Sequence, residues 1–143
     1  MDVVRDLFAF VGRLGIGLVF FAHGLMKLTG MGMSGVTAGF EQAGIPLPTL
    51  SSWYNVLVEL VGGALFVIGL LLPLVGVLLA INMAGALVFV HLSYGLFLPE
   101  GFEYVLVLLV AVLAIGFNGG RWSIDQLLFS RRTRREAEPA PES

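Results

Sequence analysis

The 143-residue sequence contains no cysteine. Disulfide bridges, thiolate redox chemistry, iron–sulfur clusters and cysteine-held zinc are therefore excluded for this chain. Histidine is nearly as scarce, with only His23 and His91. The chain thus has no evident redox group and no self-contained catalytic centre of its own.

Charge is also scarce in this sequence. Only 13% of the residues are charged and 57% are apolar, whereas soluble domains are about 25% charged and about 45–50% apolar. The longest uncharged stretch has 40 residues, from 60 to 99, and contains no Asp, Glu, Lys or Arg. These departures indicate that the solvent of this protein is lipid.

Four apolar runs are candidates for crossing a bilayer, which takes about 20 residues of helix. The predicted spans are about 7–28, 52–71, 73–92 and 102–118. Pro73 divides the long uncharged stretch into a helical hairpin, because proline suits the first turn of a helix. The last run is the weakest, with 14 uncharged residues over Tyr104–Phe117, and a buried or re-entrant segment is its alternative. The predicted fold is all-α, an integral membrane four-helix bundle over residues 1–130.

The distribution of positive charge predicts the orientation of the bundle. The connections 30–50 and 93–101 contain no Lys or Arg, while Arg5 precedes the first span. Five arginines follow the last span: Arg121, Arg131, Arg132, Arg134 and Arg135. Since Lys and Arg stay on the cytoplasmic side, both termini are predicted to be cytoplasmic. We expect a multi-pass protein of the bacterial plasma membrane.

Two segments outside the spans are predicted to lack regular structure. The connection 30–50 holds five glycines and two prolines and is predicted to be a loop. The tail 131–143 is charged, rich in Pro and Ala, and carries no large apolar residue. It is predicted to be disordered.

Polar and small residues recur at helical spacing in every span, and such residues usually face the interior of a membrane bundle. At about 100° per residue, each span has one predicted inward face. From the first span to the fourth, these faces are Arg13, Gly17, Phe20, Gly24 and Lys27; Ser52, Asn55, Glu59, Gly62, Gly63 and Phe66; Asn82, Gly85, Ala86, Phe89 and Ser93; and Glu103, Val107, Val110, Ala114 and Phe117. His91 is predicted to point about 180° away from Asn82, toward the membrane interface.

Depth in the membrane brings several ionisable residues together. At 1.5 Å per residue, His23 and Glu59 lie roughly 9–10 Å below the outer ends of their helices, with Lys27 and Glu103 shallower. We expect these four residues to line a small cavity open toward the outer leaflet, and Asn82 to lie at mid-membrane depth. The competing interpretation is a Lys27–Glu59 ion pair that only holds helices together. A metal site or bis-histidine haem is disfavoured, because the two histidines do not converge.

Several short motifs, taken together in their order and spacing, resemble the DoxX family of small four-helix bacterial membrane proteins over roughly residues 10–130. The motifs are RLG at 13–15, GLMK at 24–27, FEQAGIP at 40–46, ELVGG at 59–63, GLLLP at 69–73, His91, and GGRWSID at 119–125. The resemblance marks Lys27, Glu59 and His91 as candidate functional positions. With the cluster, the candidate ligand-binding residues are His23, Lys27, Glu59, Asn82, His91 and Glu103.

The resemblance also implies a choice of functions. Some members of this family resemble the small subunit of a thiosulfate:quinone oxidoreductase, and others are implicated in oxidative-stress or sulfur redox complexes. The first hypothesis is therefore a membrane subunit or anchor of such a complex, with quinone as the candidate ligand. The alternative is a non-enzymatic scaffold, chaperone or small-solute transporter. Expected partners are the lipid bilayer, soluble or membrane redox proteins and further copies of the chain, and no nucleic acid.

Overall fold

All regular secondary structure in the described part of the chain is helical. The structure, a computed structural model, describes residues 2–97 and 99–128, and these ranges contain no strand. The α-helices are α1 Asp2–Met26, α2 Gly32–Gln42, α3 Pro48–Leu57, α4 Gly63–Ile68, α5 Leu72–Ala86 and α6 Glu103–Phe117. Three π-helical turns extend α1, α3 and α5, and these are Lys27–Met31, Val58–Gly62 and Leu87–His91. The tail 131–143, predicted to be disordered, lies outside the described residues.

The helices form a membrane bundle, which confirms the predicted fold class. Among the described residues, three helical stretches are long and apolar enough to span a bilayer, namely Val3–Gln42, Pro48–Ile68 and Leu72–Tyr94. Large apolar side chains cover the outside of the bundle, among them Phe8, Leu18, Leu74, Val88 and Val107, a surface that suits lipid. Helix α6 has 15 residues, about 22 Å of helix. A fourth crossing and the cytoplasmic location of both termini stay predictions.

Glycines at two seams let the helices pack closely, as small residues do in membrane bundles. A Cβ placed on Gly63 of α4 would lie 2.6 Å from the backbone nitrogen of Phe21 in α1. A Cβ on Gly76 of α5 would lie 2.9 Å from the carbonyl oxygen of Val112 in α6. Between the seams lies an apolar core whose most buried members are Phe20, Phe66, Leu79 and Val112. The predicted inward faces of α1 and of α3–α4 are the buried faces.

The predicted loop 30–50 was wrong over much of its length, because α2 occupies Gly32–Gln42. Gly32 has φ of +70°, a conformation that glycine adopts without strain, and it ends the π turn and redirects the chain. Val36 is buried, and Thr37 Oγ1 lies 2.8 Å from Ser52 Oγ. Glycine disfavours helix by about 1 kcal/mol per residue. The packing of α2 against α3 offsets this preference.

The predicted inward face of α6 was also wrong. Val107, Val110 and Phe117 are 64%, 56% and 62% exposed. The buried residues of this helix are Val105, Leu108, Val112 and Gly116. Past its first turn the helix is apolar on every side, so the sequence offers no polar contrast that marks a face. The close approach of Gly116 to α5, with a Cβ 3.1 Å from the carbonyl oxygen of Leu72, is consistent with the observed face.

The end of the bundle where α1 begins and α6 ends is closed by the segment after α6. Arg13, only 1% exposed, is the centre of this closure. Its guanidinium donates to the carbonyl oxygens of Val67 (3.2 Å), Gly119 (3.1 Å) and Trp122 (2.6 Å). The carboxylate of Asp125 accepts hydrogen bonds from the N–H groups of Leu71 and Leu72, both at 2.8 Å, and so caps the start of α5. The motifs RLG, GLLLP and GGRWSID therefore meet in one structural closure.

Candidate functional site

A cavity of about 560 Å³ lies toward the other end of the bundle. It is bounded by the last turns of α1, by α3, by the second half of α5 and by the first turns of α6, and α2 contributes Phe40. Most of its lining is apolar. The polar residues that line it are His23, Lys27, Ser51, Tyr54, Asn55, Glu59, Asn82, His91 and Tyr104. Five of the six candidate residues thus line one cavity, and Glu103 is the exception.

The ion pair between Lys27 and Glu59 is present on the wall of this cavity. Lys27 Nζ donates to both carboxylate oxygens of Glu59, each at 2.7 Å, and to Asn55 Oδ1, also at 2.7 Å. The Glu59 side chain is 3% exposed and that of Lys27 is 21% exposed. The carboxylate is therefore buried, while the lysine is the more accessible partner.

Two asparagines complete a closed ring of hydrogen bonds around this pair. Asn55 Nδ2 donates to Asn82 Oδ1 at 2.7 Å and makes a longer bond of 3.4 Å to Glu59 Oε1. Asn82 Nδ2 donates to the same carboxylate oxygen at 3.1 Å. Because an ammonium only donates and a carboxylate only accepts, the ring fixes the orientation of both amides. Each charge is thus held by several partners, a condition under which a buried ion pair is tolerated.

Each of the two histidines of the cavity is oriented by a hydrogen bond to a backbone carbonyl. His23 Nδ1 lies 2.8 Å from the carbonyl oxygen of Val19, and His91 Nδ1 lies 2.8 Å from that of Glu100. A carbonyl oxygen can only accept, so Nδ1 carries the hydrogen in each ring. In the neutral ring Nε2 is then left with a free lone pair. Hydrogen bonds to Nδ1 of this kind commonly set the tautomer of a functional histidine.

The candidate residues Lys27, Glu59 and His91 each lie in a different one of the three π-helical turns described above. Such turns occur often at functional sites. A π turn adds one residue to a helical turn, so the residues after it are rotated back by about 100°. For His91 this rotation replaces the predicted 180° from Asn82 by about 80°. The prediction that His91 points away from Asn82 was therefore wrong, and the π turn is the reason.

The same turn changes the inward face of this helix beyond Ala86. Phe89 is 44% exposed and Ser93 is exposed, although both were predicted on the inward face with Asn82. Phe89 lies at the edge of the cavity and contributes to its lining. The π turn thus separates residues that a regular helix would align.

The structure separates Glu103 from the predicted cluster. Glu103 is partly buried and does not line the cavity, whose lining from this part of the chain is Tyr104, Val105 and Leu108. Nowhere in residues 2–97 and 99–128 do three or more His, Cys, Asp or Glu side chains come close enough to hold a metal ion.

Four polar residues of the cavity, Ser51, Tyr54, Asn55 and Tyr104, were not among the sequence candidates. Asn55 bonds to three members of the ring, and it lies one helical turn before Glu59 on the predicted inward face. That spacing was the signal available in the sequence. Tyr54 reaches across the cavity wall, and its hydroxyl donates to the carbonyl oxygen of Leu78 at 2.9 Å.

Comparison with known proteins is consistent with the motifs described above. A family model described as DoxX matches residues 8–92, a range that contains His23, Lys27, Glu59, Asn82 and His91. The chain is 35% identical over 118 residues to a Bacillus subtilis protein named "Putative oxidoreductase CatD", covering 82% of this chain and 84% of that one. It is 35% identical over 133 residues to "Uncharacterized membrane protein Rv3486" of Mycobacterium tuberculosis, covering 85% of this chain and 81% of that one. No solved structure gives a significant match.

Proposed function

This chain belongs to the DoxX family, and on that premise we propose that it is a membrane component of a redox complex that holds a small quinone-like ligand. The observation that carries the proposal is the cavity of about 560 Å³, with apolar walls and one charged, hydrogen-bonded cluster. Small-molecule sites in proteins typically have about 300–1,000 Å³, apolar lining and a few convergent polar groups. The name of the Bacillus subtilis relative supports the redox part of the proposal.

A ligand is needed for this role because the chain has no cysteine and no evident redox group of its own. The cavity lies in an apolar helical bundle, so a ligand that reaches it from lipid must itself be largely apolar. Three lining residues, Phe89, Val90 and Tyr104, are 44%, 38% and 42% exposed on the outside of the bundle. Their exposure favours a lipid-side entrance between α5 and α6. A ring with polar substituents and an apolar tail suits this entrance and the cluster behind it.

The closed hydrogen-bond ring favours a second candidate function, that of a scaffold without a ligand. Lys27, Asn55, Asn82 and Glu59 satisfy one another in the absence of any further group. A cluster of this kind can hold α1, α3 and α5 together without binding anything. In that case the partners of the chain are other proteins, and the cavity is incidental.

Gly85 offers a clean test of the ligand proposal. It lines the cavity, and a Cβ at this position would meet nothing within 4 Å. The Cβ of Gly85→Leu therefore meets no neighbour, and the rest of its side chain should occupy part of the cavity. Gly15→Leu is the matched control, because Gly15 also has open space around a Cβ and does not line the cavity.

The measurement is mass spectrometry of small molecules and proteins that co-purify with the full chain from native membranes in mild detergent. The ligand proposal expects a quinone-like compound with the natural sequence and with Gly15→Leu, and its loss with Gly85→Leu. A natural sequence that carries only bulk lipid contradicts the proposal. If all three samples retain the same protein partners and no ring compound, the scaffold function is supported instead.

A further inference from the structure

The cavity has an excess of hydrogen-bond acceptors, and we propose that it selects ligands that donate hydrogen bonds through Nε2 of His23 and His91. The preferred ligand class is an apolar ring bearing hydroxyl groups, as in the reduced form of a quinone. The acceptor-only ring of the oxidised form is disfavoured. This inference rests on the proposed function, since it takes the cavity to be a ligand site.

The donors that face the cavity are almost all committed. An ammonium has three N–H groups, and those of Lys27 are directed to three acceptors at 2.7 Å. The two N–H groups of Asn55 are directed to Asn82 and Glu59. One N–H of Asn82 is directed to Glu59, which leaves its second N–H as an uncommitted donor.

Two of the three hydroxyl groups of the lining are committed as well, and the third belongs to Tyr104, which is 42% exposed on the outside of the bundle and remains available as a donor. Tyr54 donates to the carbonyl oxygen of Leu78 at 2.9 Å, and Ser51 donates to that of Pro46 at 2.7 Å. Each hydroxyl has one hydrogen to donate. Neither can therefore donate to a ligand without giving up a backbone partner.

The acceptors, in contrast, are available. The Nδ1 hydrogens of His23 and His91 point to backbone carbonyls, so Nε2 of each neutral ring has a free lone pair. No described residue donates to either Nε2 atom. Glu59 Oε2 accepts only from Lys27 and retains further acceptor capacity.

This imbalance decides which ligand fits. A ligand oxygen without hydrogen would face lone pairs across the cavity, and the acceptors would lose their water without gaining a donor. A site built to pair with a hydroxyl group strongly disfavours the analogue that lacks it. The charge of Glu59 is already balanced by Lys27 at 2.7 Å, and a cationic amine would lose its hydration among apolar walls. A neutral hydroxyl is therefore the best match.

Two isomers test the preference directly. 4-Pentylphenol and 4-butylanisole have the same atoms and nearly the same shape, but only the phenol carries an O–H group. Binding of each to the full chain in lipid nanodiscs is measured after subtracting partitioning into protein-free nanodiscs. We expect the phenol to bind about tenfold more tightly, as one or two buried hydrogen bonds would produce.

Nitrogen NMR of the same sample identifies the acceptor. The chain has two histidines, so ¹⁵N-histidine labelling gives two Nε2 resonances that His23→Phe and His91→Phe assign. The phenol should shift at least one of them and the anisole neither. The matching histidine variant should lose most of the phenol preference and keep its affinity for the anisole. Phe89→Leu is the control, and it should lower both affinities alike.

The outcomes separate this inference from the proposed function. If neither isomer binds, both fail. If the anisole binds as tightly as the phenol, the cavity is a ligand site but does not select donors. A phenol preference that persists in the variant lacking both histidines overturns the assignment to Nε2.

Discussion

The Lys27–Glu59 pair predicts a large energetic coupling between the π turn after α1 and the π turn after α3. The perturbation is removal of each charge, alone and together, with Lys27→Met and Glu59→Gln. Lys27→Met removes two of the four hydrogen bonds of the Glu59 carboxylate, and it leaves Oε2 with none. The buried charge of Glu59, 3% exposed, is then without its counter-ion. Glu59→Gln leaves the ammonium unpaired instead.

The magnitude follows from the burial of the two partners. Removing one partner of a fully buried ion pair costs about 3–5 kcal/mol. The Lys27 side chain is 21% exposed, so we expect about 2–4 kcal/mol for Lys27→Met and somewhat less for Glu59→Gln. The double variant buries no unpaired charge. It should be more stable than Lys27→Met by about 1–3 kcal/mol.

Unfolding in mixed micelles with increasing denaturing detergent, followed by far-UV circular dichroism, gives the four free energies of the cycle. The control cycle combines Lys27→Met with Val107→Ala, since Val107 is 64% exposed on the lipid side of α6. The control effects should add within about 0.5 kcal/mol. If the Lys27 and Glu59 effects add equally well, the pair does not couple the helices.

Three further predictions concern the scaffold. Gly63→Ala should destabilise the bundle by about 1–3 kcal/mol through overpacking against α1, whereas Gly15→Ala, with open space around its Cβ, should leave the unfolding midpoint unchanged or raised. Asp125→Ala should lower the free energy of unfolding by about 0.5–2 kcal/mol by removing the cap of α5. Asp125→Asn should recover part of this loss in the same assay, and an unchanged stability of both variants would contradict the role of the cap. Reporters at Gly44 and after residue 143 should report opposite sides of the membrane, the latter cytoplasmic; same-side signals would refute the four-span orientation.

The features that the sequence predicts well are those marked by polar residues in apolar surroundings. Arg13 and Lys27 mark the inward stripe of α1, and Asn55 and Glu59 mark that of α3 and the following π turn. A charged side chain on a membrane-spanning helix is costly in contact with lipid, so its position indicates which face of the helix is directed to the interior of the bundle. The fold class and the ion pair follow from the same contrast.

The features that the sequence does not predict depend on geometry that is not reflected in the amino-acid composition of the helices. Past Glu103, helix α6 is apolar all round, so packing alone selects the face with Val112 inward. The π turns are not marked by any feature of the composition. They change the angular register of the helix, and for this reason the predicted direction of His91 was wrong. Helix α2 contains glycines that favour a loop, and contacts of Val36 and Thr37 with the bundle determine its structure. In each case tertiary contacts decide between local alternatives of similar energy.

The π turn at Leu87–His91 makes the cavity sensitive to a change of a single codon. Deleting Phe89 or Val90 would convert the turn to an ordinary α-helical turn and remove one lining side chain. His91 would keep its direction, because the missing residue and the lost back-rotation each amount to about 100° and cancel. The preceding helix, with Val75 and Leu79 in the core, would keep its register. A one-residue length difference could thus remove or restore a cavity side chain while the scaffold stays intact. Insertions and deletions, rather than substitutions alone, are therefore a route by which this bundle can acquire a different binding specificity.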